Sequence, residues 1–208
     1  MSNSIHIFRS NRSYFFGFLF LMFTGSLLLL LNGKTATFIS LNAWHPFWLN
    51  VFFINYTFIG DGIFAICLIA LYLFIFKKRQ QGLALFYAFL LSGITVQLIK
   101  NLVNFPRPRL FFEPGQYLFF VDDVSLVNNS GFPSGHTATA FAIATVLILM
   151  INNKKWQLPL LLAAVLAGYS RIYLAQHFLT DILAGAVIGI SSAMASWIFV
   201  TGGKNFRK

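Results

Sequence analysis

From Tyr14 to Leu31 the chain runs 18 residues without a charged side chain. A helix needs about 20 predominantly apolar residues to cross the hydrocarbon core of a bilayer. The run is longer than the 7–15 apolar residues of a signal peptide, and Thr35-Ala36-Thr37 makes a poor cleavage site, so a retained membrane helix is expected. Five more apolar stretches follow: Phe58 to Phe76, Leu83 to Val103, Gly135 or Thr137 to Ile151, Pro159 to Ala175, and Leu179 to Val200. Only 10% of the residues are charged and 58% are hydrophobic, against roughly 25% charged in ordinary soluble domains. The expectation is therefore all-α: a six-transmembrane helical bundle forming a single integral-membrane domain over residues 1–208. Twenty-six Phe residues suit a surface that faces lipid.

Between the first two spans, Asn32 to Tyr56 carries Trp44, His45, Pro46, Phe47 and Trp48. Amphipathic aromatics concentrate at the membrane–water boundary, so a short helix lying along that boundary is expected, with His45 interfacial rather than catalytic. Asp61, in Gly60-Asp61-Gly62, reads as the N-cap of the second span. Cys67 stands alone in an apolar run, which excludes a disulfide framework and a cysteine metal site and suggests a buried, inert thiol. Gly185, Gly189 and Ala193 form a small-residue stripe expected to contact another helix.

The formal charge of +10 is distributed by topology. Six spans alternate sides. Arg9, Arg12, Lys77, Lys78, Arg79, Lys154, Lys155, Lys204, Arg207 and Lys208 then share one side. Lys34, Lys100, Arg107, Arg109 and Arg171 share the other, together with all five acidic residues, Asp61, Glu113, Asp122, Asp123 and Asp181. By the positive-inside rule the first side and both termini are cytoplasmic, in the plasma or bacterial inner membrane. The charge thus reflects membrane placement and contact with anionic lipid, and no nucleic-acid partner is expected.

The second side carries the chemistry. Its longest segment, Phe105 to Gly135, is rich in turn residues, including Arg107-Pro108-Arg109, Glu113-Pro114-Gly115 and Asn128-Asn129-Ser130-Gly131. Loops this long in compact proteins are usually functional. Lys100, Arg107 and Arg171 are three fixed cations, a set suited to the charged oxygens of one phosphoryl group. Pro133-Ser134-Gly135-His136 opens a helix, whose N-terminus offers free N–H groups to an anion; Ser134 adds a hydroxyl and Gly135 allows close approach. His177 and Asp181, four apart, fall on one helical face, where Asp181 holds one imidazole nitrogen and leaves the other to attack. His177 is the candidate nucleophile, with His136 protonating the leaving group and later deprotonating water. The bland alternatives are a snorkelling Lys100 and polar residues that merely cap a loop. A metal site built on the two histidines and Asp181 would need more ligands than the chain assembles, and the cations would repel it, so neither metal nor cofactor is expected.

Lys100 to Pro108 reads K-x6-R-P, Pro133 to His136 reads P-S-G-H, and Ser170 to Asp181 reads S-R-x5-H-x3-D. In that order the three motifs resemble those of the type 2 phosphatidic acid phosphatase superfamily, over about residues 55–200. The resemblance implies a metal-independent membrane phosphatase with a phospho-histidine intermediate; with the charge pattern above, its active-site loop is expected on the periplasmic or extracytoplasmic side. Lys100, Arg107, Ser134, Gly135 and Arg171 would bind phosphate, and His136, His177 and Asp181 would be catalytic. It implies a lipid phosphate substrate (phosphatidic acid, phosphatidylglycerol phosphate, an isoprenyl diphosphate or lipid A) and no obligatory protein partner. A phosphotransferase using the same intermediate, or a non-catalytic binder or transporter of anionic lipid, would use the same cations.

Overall fold

The computed structural model describes residues 7–113, 115–116, 120–121, 130–151 and 153–202. Asp122, Asp123, Lys204, Arg207 and Lys208 of the charge pattern lie outside these, as do Pro114, Asn128 and Asn129 of the loop. Every regular element among the described residues is helical: α1 (Arg12–Leu41), α2 (Phe47–Tyr56), a 3-10 turn (Thr57–Gly60), α3 (Gly62–Ala70), α4 (Arg79–Leu102), the short α5 (Pro108–Phe111), α6 (Gly135–Met150), α7 (Gln157–Tyr173) and α8 (Leu179–Thr201). A π turn, Leu71–Ile75, extends α3.

Each apolar stretch of the sequence becomes a helix, but the first is longer than expected. It does not stop at Leu31; it breaks at Gly33, which has φ 74° and ψ 171°, and resumes to Leu41. Glycine takes that left-handed φ without the steric cost of a Cβ. Thr37 Oγ1 donates to Leu28 O at 3.2 Å across the break, pairing a carbonyl that the kink releases. The expected boundary segment is thus part helix extension and part α2. In that segment His45 Nε2 lies 2.7 Å from Asn42 Oδ1, and its ring packs 4.3 Å from that of Tyr173.

By length and apolar composition, Arg12–Leu41, Arg79–Leu102 and Leu179–Thr201 can each cross a bilayer. Phe47–Gly60 and Gly62–Ile75, bent by 54° about Asp61, make a fourth candidate. Asp61 does cap α3, its Oδ1 accepting from the Ile63 N–H at 2.8 Å. Cys67, expected to be buried, is exposed. Helix α3 buries only Ala65 and Ile69, a pair four apart on one face, and Cys67 falls between them on the opposite face.

The core is built by α4, α6, α7 and α8, with α6 against α8 the most extensive pairing. The small-residue stripe produces that pairing. A Cβ at Gly185 would meet Ser134 O at 2.5 Å, and one at Gly189 would meet Ala138 O at 2.4 Å. The same register shows that α6 and α8 run parallel. Helix α4 runs opposite to α8, since Ser196 Oγ donates to Ala84 O at 2.6 Å and Gly135 approaches Val96. Helix α7 runs opposite to both α6 and α8, with Gly168 packed between Thr137 and Ile182. Four helix termini therefore meet at one end: the C-termini of α4 and α7 and the N-termini of α6 and α8. At the other end, Tyr14 hydrogen bonds Thr145 at 2.9 Å and Gln157 Nε2 donates to Ser10 O at 2.9 Å.

Gly189→Ala should lower the stability of detergent-solubilised protein by about 1–3 kcal/mol, because the methyl group forces α8 off α6. Unfolding by titration with a denaturing detergent measures this, with Gly202→Ala, which has no atom within 4 Å but a φ of +61°, as a comparison in which only backbone strain acts.

Candidate active site

Motif residues 100, 107, 134–136, 171, 177 and 181 all belong to that shared end. Lys100 lies in the last turn of α4. Arg107 caps α5 and is buried; its Nη1 donates to Gln176 Oε1 at 3.1 Å and to Gln176 O at 3.3 Å. The chain then returns beside it: Gly131 N–H donates to Phe105 O at 2.7 Å, and a Cβ at Gly131 would crowd Arg107 Cγ at 3.2 Å.

Ser134 is the N-cap of α6 and is fully buried. Its Oγ accepts from Thr137 Oγ1 at 2.9 Å and from Thr137 N–H at 3.4 Å, so its own hydroxyl proton remains to serve another acceptor. The Ser134 N–H donates to Asp181 O at 3.0 Å, which ties the second motif to the third. Gly135 meets no steric demand from the protein, since an added Cβ would touch only Val96 at 3.7 Å. The peptide bond between Phe132 and Pro133 is cis.

Arg171, in the last turn of α7, is 9% exposed. Its Nη1 donates to Thr57 Oγ1 at 2.7 Å, while its buried Nε has no hydrogen-bond partner among the described residues. A buried, unpaired guanidinium N–H costs free energy until an acceptor arrives. The Arg171 carbonyl accepts from both Gln176 N–H (2.8 Å) and His177 N–H (3.1 Å), and Ala175 takes a φ of 52° to make that fold-back.

One expectation of geometry needs correction. His177 does not share a helix face with Asp181; it precedes α8, which begins at Leu179. The pair forms because Asp181 lies in the first turn of α8 and reaches back. Its Oδ2 accepts from Phe178 N–H at 2.9 Å and lies 3.4 Å from His177 Nδ1, and its Oδ1 accepts from Thr180 Oγ1 at 3.0 Å. His177 Nε2 stays outside that contact. Burial pushes the imidazole down to about 4, and the carboxylate of Asp181 opposes that shift while Arg171 and Arg107 add to it.

The charges converge. Lys100 feels Arg107, Asp181 and Arg171, while His136 feels Arg171, His177, Arg107 and Lys100. Arg109, outside the motifs, turns away, its Nη2 donating to Val121 O and its guanidinium lying 5.1 Å from the Phe120 ring centroid. The sequence did not single out Gln176, Thr57 or Thr137. Gln176 alone carried a signal, as a polar residue beside His177. Among the described residues no group of three or more His, Cys, Asp or Glu could hold a metal ion.

The sequence model of the PAP2 superfamily matches residues 81–204, which contain all three motifs. The chain belongs to this superfamily. It is 32% identical over 170 residues to the lipid A 4'-phosphatase of Porphyromonas gingivalis, covering 77% of this chain and 70% of that one. It is 30% identical over 132 residues to the undecaprenyl-diphosphatase BcrC of Bacillus subtilis, covering 62% of this chain and 64% of the relative. The chain spans about half the length of several curated relatives it matches, down to 44% of one. The crystal structure of Aquifex aeolicus LpxE superimposes with a TM-score of 0.66 at 34% identity, covering 78% of this PAP2 chain and 93% of that one.

The buried imidazole sets a pH window. Its folded pKa, about 4, lies below the usual 6.5, so His177 contributes full stability above pH 6.5 and progressively less as pH falls towards 4. Nitrogen NMR of histidine-labelled protein should show His177 neutral at pH 5.5; a resonance titrating near 6.5 would contradict the burial.

Proposed function

We propose that this chain is an integral membrane phosphatase that hydrolyses a phosphate monoester or diphosphate on a lipid head group, without metal, through a phosphorylated histidine. The observation that carries the reading is the convergence of Lys100, Arg107 and Arg171 with His136 and the His177–Asp181 pair at one end of the bundle. Asp181 acts on Lys100 and Arg107, and Asp61 on Arg171, but three cations against two carboxylates leave positive charge that a phosphoryl group would neutralise. The unpaired Nε of Arg171 gives it a directed donor. Ser134, Gly135 and the α6 N-terminus add neutral donors on the second side.

In this reading His177 Nε2 attacks phosphorus in line with the leaving oxygen. The P–O bond breaks as P–N forms, and His136 gives its proton to the departing oxygen. Asp181 holds Nδ1 and stabilises the charged ring. Water, deprotonated by His136, then attacks phosphorus and breaks the P–N bond. No metal enters either step.

The named relatives act on lipid A and on undecaprenyl diphosphate, which supports a lipid phosphate as the substrate class. An apolar cavity between α1, α7 and α8, lined by Leu28, Leu41, Tyr169, Ile172, Leu179 and Ile182, gives an acyl chain a place against the bundle. Counting the bent pair, α6 and α7 as spans gives six crossings. The basic residues Arg9, Arg12, Lys154 and Lys155 lie at the end remote from the site, which by the positive-inside rule supports an extracytoplasmic site.

His177→Ala should abolish phosphate release from a panel of phosphatidic acid, phosphatidylglycerol phosphate, undecaprenyl diphosphate and lipid A; normal release from any of these would remove the mechanism. Vanadate, which mimics five-coordinate phosphorus, should inhibit the wild type, and a chelator should leave its rate unchanged. Loss of activity in chelator would restore a metal mechanism.

A further inference from the structure

We propose that Asp61 is the positioning residue of His136, serving the second histidine as Asp181 serves the first; the proposal rests on the phosphatase reading. Asp61 Oδ2 lies 3.7 Å from His136 Nε2, and both side chains are about one-third exposed, at 36% and 30%. The carboxylate is aimed, because its other oxygen is fixed by the Ile63 N–H at 2.8 Å. The turn that carries it is pressed onto α6: a Cβ at Gly60 would come within 2.8 Å of His136 O and 3.0 Å of His136 Cβ. Glycine at position 60 is what permits the approach. The same turn supplies Thr57, which accepts from Arg171. Residues 57–61 thus touch both a phosphate-binding cation and the proton donor, yet lie outside the stretch 81–204 matched by the family.

The chemistry needs such a group. His136 must carry a proton before the leaving oxygen departs, and a protonated imidazole must then stand among Arg171, Arg107, Lys100 and His177, which face it from α7, the α5 loop, α4 and the turn before α8. Asp181 is engaged by His177, Phe178 and Thr180. Asp61, which also acts on Arg171, is the carboxylate that the structure sets 3.7 Å from His136, and its negative charge favours the protonated ring. At 3.7 Å the pair attracts through space and fixes the ring, directing Nδ1 towards the leaving group. Asp61 itself gains and loses no proton: the N–H bond of His136 breaks as the O–H bond of the leaving alcohol forms, and water later returns the proton to His136.

Asp61→Asn separates this role from helix capping, since Asn keeps an oxygen for the Ile63 N–H but has no charge. With an alkyl lipid phosphate in mixed micelles, kcat should fall about tenfold or more, a share of the roughly 10²–10⁴ that proton transfer supplies. KM should change little, and the alkaline limb of kcat should move down by about one pH unit, as expected on losing a nearby opposite charge. With p-nitrophenyl phosphate, whose leaving group departs unprotonated, the loss should be small. Asp61→Glu should recover part of the lipid phosphate rate, and the melting temperature of Asp61→Asn should match wild type. Wild-type kcat with an unmoved alkaline limb would leave Asp61 a helix cap only and overturn the proposal, as would equal losses on both substrates with a lowered melting temperature. Failure of the underlying reading shows separately, as absence of hydrolysis in the wild type or its persistence in His177→Ala.

Discussion

Like charges crowded into a region of low dielectric repel strongly: at 4 Å and an effective dielectric constant of 20 the energy is about 4 kcal/mol per pair. This chain gathers Lys100, Arg107 and Arg171 at one end of an apolar bundle. Asp181 and Asp61 offset part of that repulsion, and neutral groups hold the guanidinium groups in place. Gln176 carries Arg107 through two acceptors, and Thr57 carries Arg171 through one. Neutral acceptors fix the direction of a guanidinium without cancelling its charge. Under the proposed function this keeps the field at that end available for an incoming anion, the arrangement that electrostatic catalysis requires.

The two parts of the site are joined by backbone rather than by side chains. Ser134 N–H to Asp181 O links the start of α6 to the start of α8, 47 positions apart in sequence. Gly185 and Gly189 set those helices in parallel contact from the same point inwards. A small shift of one helix would move Ser134, His136 and Asp181 together. The geometry of the site is for this reason a property of close helix packing as much as of polar contacts.

Much of this was legible in the sequence, because its signals were of two simple kinds. Uninterrupted apolar runs located the helices, and the 3.6-residue period located the stripe on α8. Spaced polar residues at helix ends located the site. Where the reading failed, the deciding interaction was made elsewhere in the chain. Nothing local to Leu31 shows that α1 resumes after Gly33, since the bond from Thr37 to Leu28 depends on the kink itself. Cys67 reads as buried from its apolar neighbours, but burial on a lipid-facing helix depends on which side meets the bundle. The helix-face reading of His177 and Asp181 reached the right contact by the wrong route, because a first-turn carboxylate also reaches backwards. Thr57 was invisible, and Gln176 no more than a polar neighbour of His177, because their partners are 114 and 69 residues away.

The loop between the first two motifs is pinned where it leaves and where it rejoins. Gly131 N–H reaches Phe105 O at 2.7 Å, and Ser130 Oγ donates to Val103 O at 2.6 Å. Its base is thus closed by its own backbone. Loop-closure entropy grows only slowly with length, roughly 0.6 kcal/mol for each doubling. Insertions or deletions between Phe112 and Ser130 would accordingly leave Arg107 and Ser134 in register, so this stretch is free to vary in length across a lineage without disturbing the residues on either side of it.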